Sequence, residues 1–579
     1  MFLILLGGVA ATAQTANVQQ ADRLFREGSA AFAAQNLSLA HADFAKLVKL
    51  VPQVAAGHTA FGAVLLAEGQ TEAAVSELEQ ARKLDPNDAL TALNLGVGYR
   101  RLDRNADAVR AFSSVAGRPG VTLSATEVFS YAGALAATGE TGRAQTVIEQ
   151  ALQRDPQNAV LQDALGALLA QRGDLGGAQD AFRRAITLEP NLASAHLHLG
   201  SVLLILPGSQ PAEAVSEFRS AQKLGDESLT LLLGLGKALT ATGQDGEAVE
   251  VLRKAVAASP GSKDPNYVDA KYALALALQN AGNPKEALPL FQEVAARQPL
   301  NTAVLTNYGL ALMQTGDAKG ALQLYTRAHD AGDASATLRE DMGGAYLQQN
   351  DIDHAIEQFR AGLAVNPQDV QLHYDLGLAY KLKDDLNASV SELKYAEELD
   401  PQLPDPYYTL GVIEMQRGNF AQAKAQLEQA VALQPANGEA WSVLGSVDKE
   451  AGDDAGAEAA LRKAIELLPQ QPSNHITLAS ILSARGDSEG ATAERKLAAQ
   501  LSRTVVSKQR AQFALDSGRA YLARGQVNEA INQLRTAVAA EPELVDAHLV
   551  LADALTRAGR NAEALTERQK VESLKAAQP

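Results

Sequence analysis

Nine histidines are the first residues to weigh for chemistry, because neutral imidazole binds metals and exchanges protons near neutral pH. Five of them, His58, His196, His373, His475 and His548, fall on the fourth residue of a recurring segment, a place held elsewhere by Trp441, Tyr407 and Leu24. A slot that takes imidazole, indole, phenol or isobutyl alike packs between helices, so these histidines read as core residues. His196 and His198 are two residues apart, which on a helix separates them by about 200° and prevents joint chelation. The 68 Asp and Glu include no recognisable catalytic pair, and most suit solvated helix faces. Without cysteine there is no disulfide, thiol nucleophile or Cys-bound zinc. No Gly-rich phosphate loop, H-E-x-x-H or nucleophile elbow is present. We therefore expect no catalytic, metal-binding or cofactor-binding residue, and no enzyme.

The segment that places the histidines is a repeat. Pro52 and Pro86, Pro156 and Pro190, and Pro367, Pro401, Pro435 and Pro469 follow one another at 34 residues. Self-similarity of this size signals a stacked solenoid, which grows by adding units rather than enlarging one core. In the type unit, Ala159 to Leu192, a first helix (A) is expected from about 160 to 171 and a second (B) from about 175 to 188. Gly173 marks the turn and Pro190 stops helix B. The eighth residue is small, as at Gly62, Gly166, Gly343 and Gly411, and the twentieth is alanine, as at Ala74, Ala178 and Ala423. The twenty-fourth is a large apolar plug, as at Phe112, Phe182, Phe291 and Phe359. Small residues let two helices approach and the plug fills the space beside them.

These positions resemble those of the tetratricopeptide repeat family over about Ala21 to Ala577, some sixteen units. The resemblance implies an all-α, right-handed superhelical solenoid with helix A lining a concave groove. In that family, ligands are contacted from the second, fifth, ninth, twelfth and thirteenth residues of the unit. Some members clamp a terminal carboxylate with Lys at the fifth and Asn at the ninth, and no unit here has either. An asparagine ladder at the sixth residue, known from members attached to glycosyltransferases, is also missing, since only Asn94 and Asn307 stand there. What the expected groove offers is Tyr272, Tyr374 and Tyr408 at the fifth residue, with Lys381, Met415, Gln416, Glu439 and Lys449 on the same face. Tyr and Met favour recognition surfaces, but the same residues could instead pack against the next helix A.

Spacing stretches at four joins: 115–124, 206–211, 260–267 and 502–510, all expected to be loops or bends. Arg495 and Arg568 stand at the plug position of their units, as suits a helix with no following neighbour. The expected division is a main array of about fourteen repeats at 21–501, a linker at 502–510 and a C-terminal pair at 511–579. Ahead of a short lead at 14–20, the apolar run from Phe2 ends in Ala11-Thr12-Ala13, a small-residue cleavage site, so residues 1–13 read as a signal peptide. No basic residue precedes that run. The expected location is periplasmic or the cell envelope, or the cytoplasm if the run is not a signal.

A net charge of −17 disfavours nucleic acid and anionic membrane surfaces. No later segment suits a membrane span. The function expected is a protein–protein interaction scaffold binding a protein or extended peptide. The alternative is a component of a glycan-export or glycosyl-transfer assembly, with sugars stacking on the aromatic groove residues.

Overall fold

The computed structural model describes residues 11–258 and 265–576, and among these every regular element is a helix. The chain forms two compact units, Met1–Asp317 and Ala318–Pro579. In the first, consecutive helices pair as hairpins: α1 (Ala11–Ala33) with α2 (Leu37–Leu50), α3 (Ala55–Ala67) with α4 (Thr71–Leu84), α5 (Ala89–Arg101) with α6 (Asn105–Ser113), and α7 (Ala125–Ala137) with α8 (Thr141–Arg154). The series continues with α9 (Ala159–Gln171) and α10 (Leu175–Leu188), α11 (Ala193–Ile205) and α12 (Pro211–Lys223), α13 (Leu229–Ala241) and α14 (Asp245–Ala258), and α15 (Pro265–Asn280) and α16 (Pro284–Arg297). A last helix, α17 (Thr302–Gln314), packs on α16.

The second unit opens with α18 (Ala318–Asp330), packed on α19 (Ala336–Gln348). Hairpins follow: α19 with α20 (Ile352–Val365), α21 (Val370–Leu382) with α22 (Leu386–Leu399), α23 (Pro404–Gln416) with α24 (Phe420–Leu433), and α25 (Gly438–Glu450) with α26 (Asp454–Leu467). The last helices are α27 (Pro472–Ala484), α28 (Ser488–Ala523), α29 (Val527–Ala540), α30 (Val545–Arg557) and α31 (Asn561–Ala576).

The type unit shows why these residues fold this way. Asn158 caps α9 by accepting the Leu161 N–H at 3.1 Å, and Asp174 caps α10 by accepting that of Gly177 at 2.9 Å, each such cap being worth about 1 kcal/mol. Between them Gly173 turns the chain at φ +82°, a conformation glycine adopts freely. Helix α10 buries Ala178, Phe182 and Ala185 on one stripe. The small eighth residue is a steric necessity: a Cβ on Gly166 would lie 2.5 Å from the Phe182 ring. Gly343 against Phe359 repeats the arrangement in the second unit, at 2.3 Å.

Residues 115–124 and 206–211 are non-helical for the most part, as their Gly and Pro content predicts. Of the 260–267 join, residues 265–267 are not loop but the first residues of α15, because Pro is well suited to a helix start. Residues 259–264 and the apolar run ahead of Ala11 lie outside the described residues. The segment 502–510 departs from its expectation. It is no loop but the middle of α28, a 36-residue helix that is helix B of one hairpin and helix A of the next. No proline or glycine interrupts 491–517, so the helical ladder continues where other units stop. Its first part buries Ala491 against Leu478 and Leu482, and its last part joins a separate buried cluster running from Ala514 to Ala564. Arg495 and Arg568, at their plug positions, are both exposed.

Candidate functional site

The five fourth-position histidines repeat one constellation. Each ring is buried, and its Nδ1 meets a carboxylate at 2.5–2.7 Å: Glu77, Glu217, Glu392, Glu494 and Glu567 in turn. Each Nε2 faces the carbonyl oxygen of Pro52, Pro190, Pro367, Pro469 or Pro542 at 2.9–3.3 Å. Trp441 donates its indole N–H to the Pro435 carbonyl at 3.0 Å from the same slot. The slot thus ties helix A to the chain arriving from the preceding helix B. Both ring nitrogens are engaged, which leaves none free to bind a metal. Among the described residues, no group of three or more His, Asp or Glu could hold one. The glutamate partners were legible in the sequence: glutamate stands at the twenty-third residue in these five units and in none of the others.

The recognition candidates lie on helix A, and part of each is spent on the fold. Tyr272 on α15 accepts the Asn307 side-chain N–H at 2.9 Å and donates to the Ala303 carbonyl at 3.3 Å, both on α17. Its ring stands edge-on to Phe291 at 6.1 Å. In the second unit, Tyr374 packs against Leu393, Leu410 and Ile413, and Thr409 offers it a hydrogen bond. Tyr408 and Met415 pack, with Trp441, on the cluster around Leu427 and Leu444. Burial raises the pKa of Tyr374 and Tyr408, helped by charge at Asp405 and Asp375 for the first and at Glu439 for the second. The structure therefore brings Tyr374, Tyr408, Met415 and Glu439 together along α21, α23 and α25. Gln416 and Glu439 are exposed, Lys449 lies 3.8 Å from Glu450, and Lys381 is half-buried, with desolvation lowering its pKa. Tyr272 belongs to the other unit. That unit also has a depression of about 270 Å³ on the helix-A residues Arg100, Phe129, Gly133, Ala136 and Leu168.

A regularity emerges from the hydrogen bonds. At three joins the fifth residue of one unit meets the sixth of the next, 35 positions later, Tyr374 and Thr409 being one of them. Asp163 and the His198 ring are 2.8 Å apart, and Tyr272 and Asn307 make the pair already described. At the α19–α21 join the two residues in this register are Glu340 and Asp375, both acids. Burial and then the neighbouring Asp375 push Glu340 up to about 7. Burial pushes Asp375 up to about 6, against a hydrogen bond from Gln371 at 3.0 Å that favours its charged form. Beside them Asp341 is likewise raised to about 6, by burial and then Asp333. Sequence reasoning within a single unit missed these three. The signal lay between units, as acids at the fifth and sixth residues of consecutive repeats.

Comparison with known proteins follows the same lines. The sequence profile described as "Tetratricopeptide repeat" matches residues 59–121, 132–193, 208–263, 272–336, 408–472 and 515–571, and one described as "TPR repeat" matches 343–384. No curated protein matches the chain in sequence. Among solved structures, the APC/C hetero-tetramer Cut9–Hcn1 is similar at 14% identity and TM-score 0.32, over 94% of this chain and 99% of that one. YrrB, described as a TPR protein with an unusual peptide-binding site, is similar at 24% identity and TM-score 0.28, over 32% of this chain and 92% of that one. MamA is similar at 22% identity and TM-score 0.27, over 29% of this chain and 92% of that one. With most of its length matched by the repeat profile and the helical hairpins built on its small-residue and plug positions, the chain belongs to the tetratricopeptide repeat family.

Proposed function

We propose that this chain is a non-catalytic protein–protein interaction scaffold that receives a protein or extended peptide along its helix-A face. The observation that carries the proposal is the half-buried aromatic strip of Tyr374 and Tyr408 with Met415 beside it, edged by exposed Gln416 and Glu439. Rings already fixed by packing lose little freedom on binding, so several modest contacts add up without a large ordering cost. Among the described residues, no helix is long and apolar enough to cross a membrane. Export of the chain, inferred from the Ala11-Thr12-Ala13 site, belongs to the same proposal and is checked by N-terminal sequencing of the mature protein.

The test is affinity capture of the full chain from its native cells, with bound proteins identified by mass spectrometry. Stoichiometric partners that disappear when Tyr374 and Tyr408 are both changed to Ala support the scaffold. Failure to recover any protein overturns it and directs the search to glycans.

A further inference from the structure

We propose that the Glu340–Asp375 join, together with Asp341 and the Tyr325 hydroxyl, binds a cationic side chain, Arg or Lys, of a peptide lying along the second unit. The inference rests on the scaffold reading and specifies the chemistry of the partner.

Three observations converge. First, two acids occupy a register where three other joins place a hydrogen-bonded pair, so this join cannot close on itself with both carboxylates charged. Second, no Lys or Arg among the described residues pairs with Glu340, Asp341 or Asp375. Arg339 is committed to Gln358 at 2.8 Å and to the His329 ring at 3.2 Å, and Arg360 sits 5.6 Å from the Tyr380 ring centre. Lys381, on the same helix as Asp375, has no charge partner among the described residues, and only desolvation acts on it. By contrast, the buried carboxylate of Asp448 has Lys424 at 2.8 Å. Taking carboxylates out of water without a counter-charge is costly, and an incoming cation relieves that cost.

Third, Tyr325 on α18 is fully buried and its hydroxyl has no hydrogen-bond partner among the described residues. It stands at the plug position, sixteen residues before Asp341. In the same register Phe182 meets the His198 ring at 5.4 Å between centres. A tyrosine there carries a hydroxyl beyond the phenyl ring, toward Asp341, whose charge acts on it. Asp341 is the charged group that acts on this oxygen, so a donor drawn to the Asp341 carboxylate comes into its neighbourhood. Guanidinium suits the site best, since its several donors form a planar fork that can bridge separate acceptors.

The test uses an array of capped ten-residue Gly/Ser/Leu peptides carrying Arg, Lys, Gln or Glu at two central places, probed with the full chain. We expect the Arg and Lys peptides to be retained about tenfold more strongly than the Gln peptides, and the preference to vanish in the Glu340→Gln/Asp375→Asn double variant. The variant removes only charge, and an unchanged circular dichroism spectrum establishes that it is folded. Calorimetry of the best Arg peptide at pH 6.5 in two buffers of different ionisation enthalpy should show net proton release from the wild type and clearly less from the variant, which keeps only Asp341 of the three acids. Peptides retained equally whatever their central residue, or equally by the variant, overturn the cation site and leave the scaffold standing. Retention of no peptide of any composition removes both.

Discussion

The join between α15 and α17 and the join between α19 and α21 share a register and a chassis but end differently. In the first, Tyr272 and Asn307 close on each other through a neutral hydrogen bond over the Phe291 plug. In the second, Phe359 serves as plug against Leu372 and Leu376, yet the same two places hold Glu340 and Asp375. The difference separates the two tasks of a repeat. Small residues, plugs and the fourth-position ties set the spacing, whereas the fifth and sixth residues decide whether a join is closed or left open to a ligand.

The largest effect should come from breaking what the joins share. Phe359→Ala and Phe291→Ala each empty a fully buried plug site and should cost about 3–5 kcal/mol in urea unfolding. Similar losses at the two joins would show that the chassis is common, and a negligible loss at either would contradict it.

Next comes pH, which should act at one join alone. Glu340, Asp341 and Asp375 are raised to about 7, 6 and 6, so protonation favours the folded form. Their stabilising contribution is complete at low pH, below their unfolded values, and is lost as pH rises through 6 to 7. Glu340→Gln should therefore raise the melting temperature by about 1–3 °C at pH 8 and leave it unchanged near pH 4. A gain of equal size at both pH values would mean that charge is not its source.

A smaller effect is expected at the closed join. Tyr272→Phe removes its hydroxyl hydrogen bonds and should cost about 1 kcal/mol in chemical denaturation, to the same extent at pH 5.5 and pH 8. A pH-dependent cost would undo the contrast. Smallest of all, Lys383→Ala removes an exposed pair with Asp353 at 2.6 Å and should leave the melting temperature within error, at low and high salt alike.

Much of this architecture was legible in the sequence because it is local and repeated. Gly166 and Phe182 stand sixteen residues apart in one unit, and their steric fit recurs at Gly343 and Phe359. The fourth-position histidines were recognisable as core residues, although their glutamate partners on helix B went unread. Helix α28 was misjudged because an inserted stretch suggested a loop, when the absence of Pro and Gly was the better guide. Tyr374, Tyr408 and Met415 were placed on helix A, where they lie, but how far packing consumes them depends on neighbouring helices that no single unit contains. The acidic join was hidden for the same reason, since Glu340 and Asp375 are unremarkable until the register of 35 residues brings them together.

The most direct measurement places a photo-crosslinking amino acid at Leu378, on α21 three residues beyond Asp375, and identifies the peptide attached to it in native cells. The account predicts a peptide with Arg or Lys within a residue or two of the attachment point, and loss of the crosslink in Glu340→Gln/Asp375→Asn. Attachment of an acidic or wholly apolar segment, unaffected by that double substitution, would contradict it.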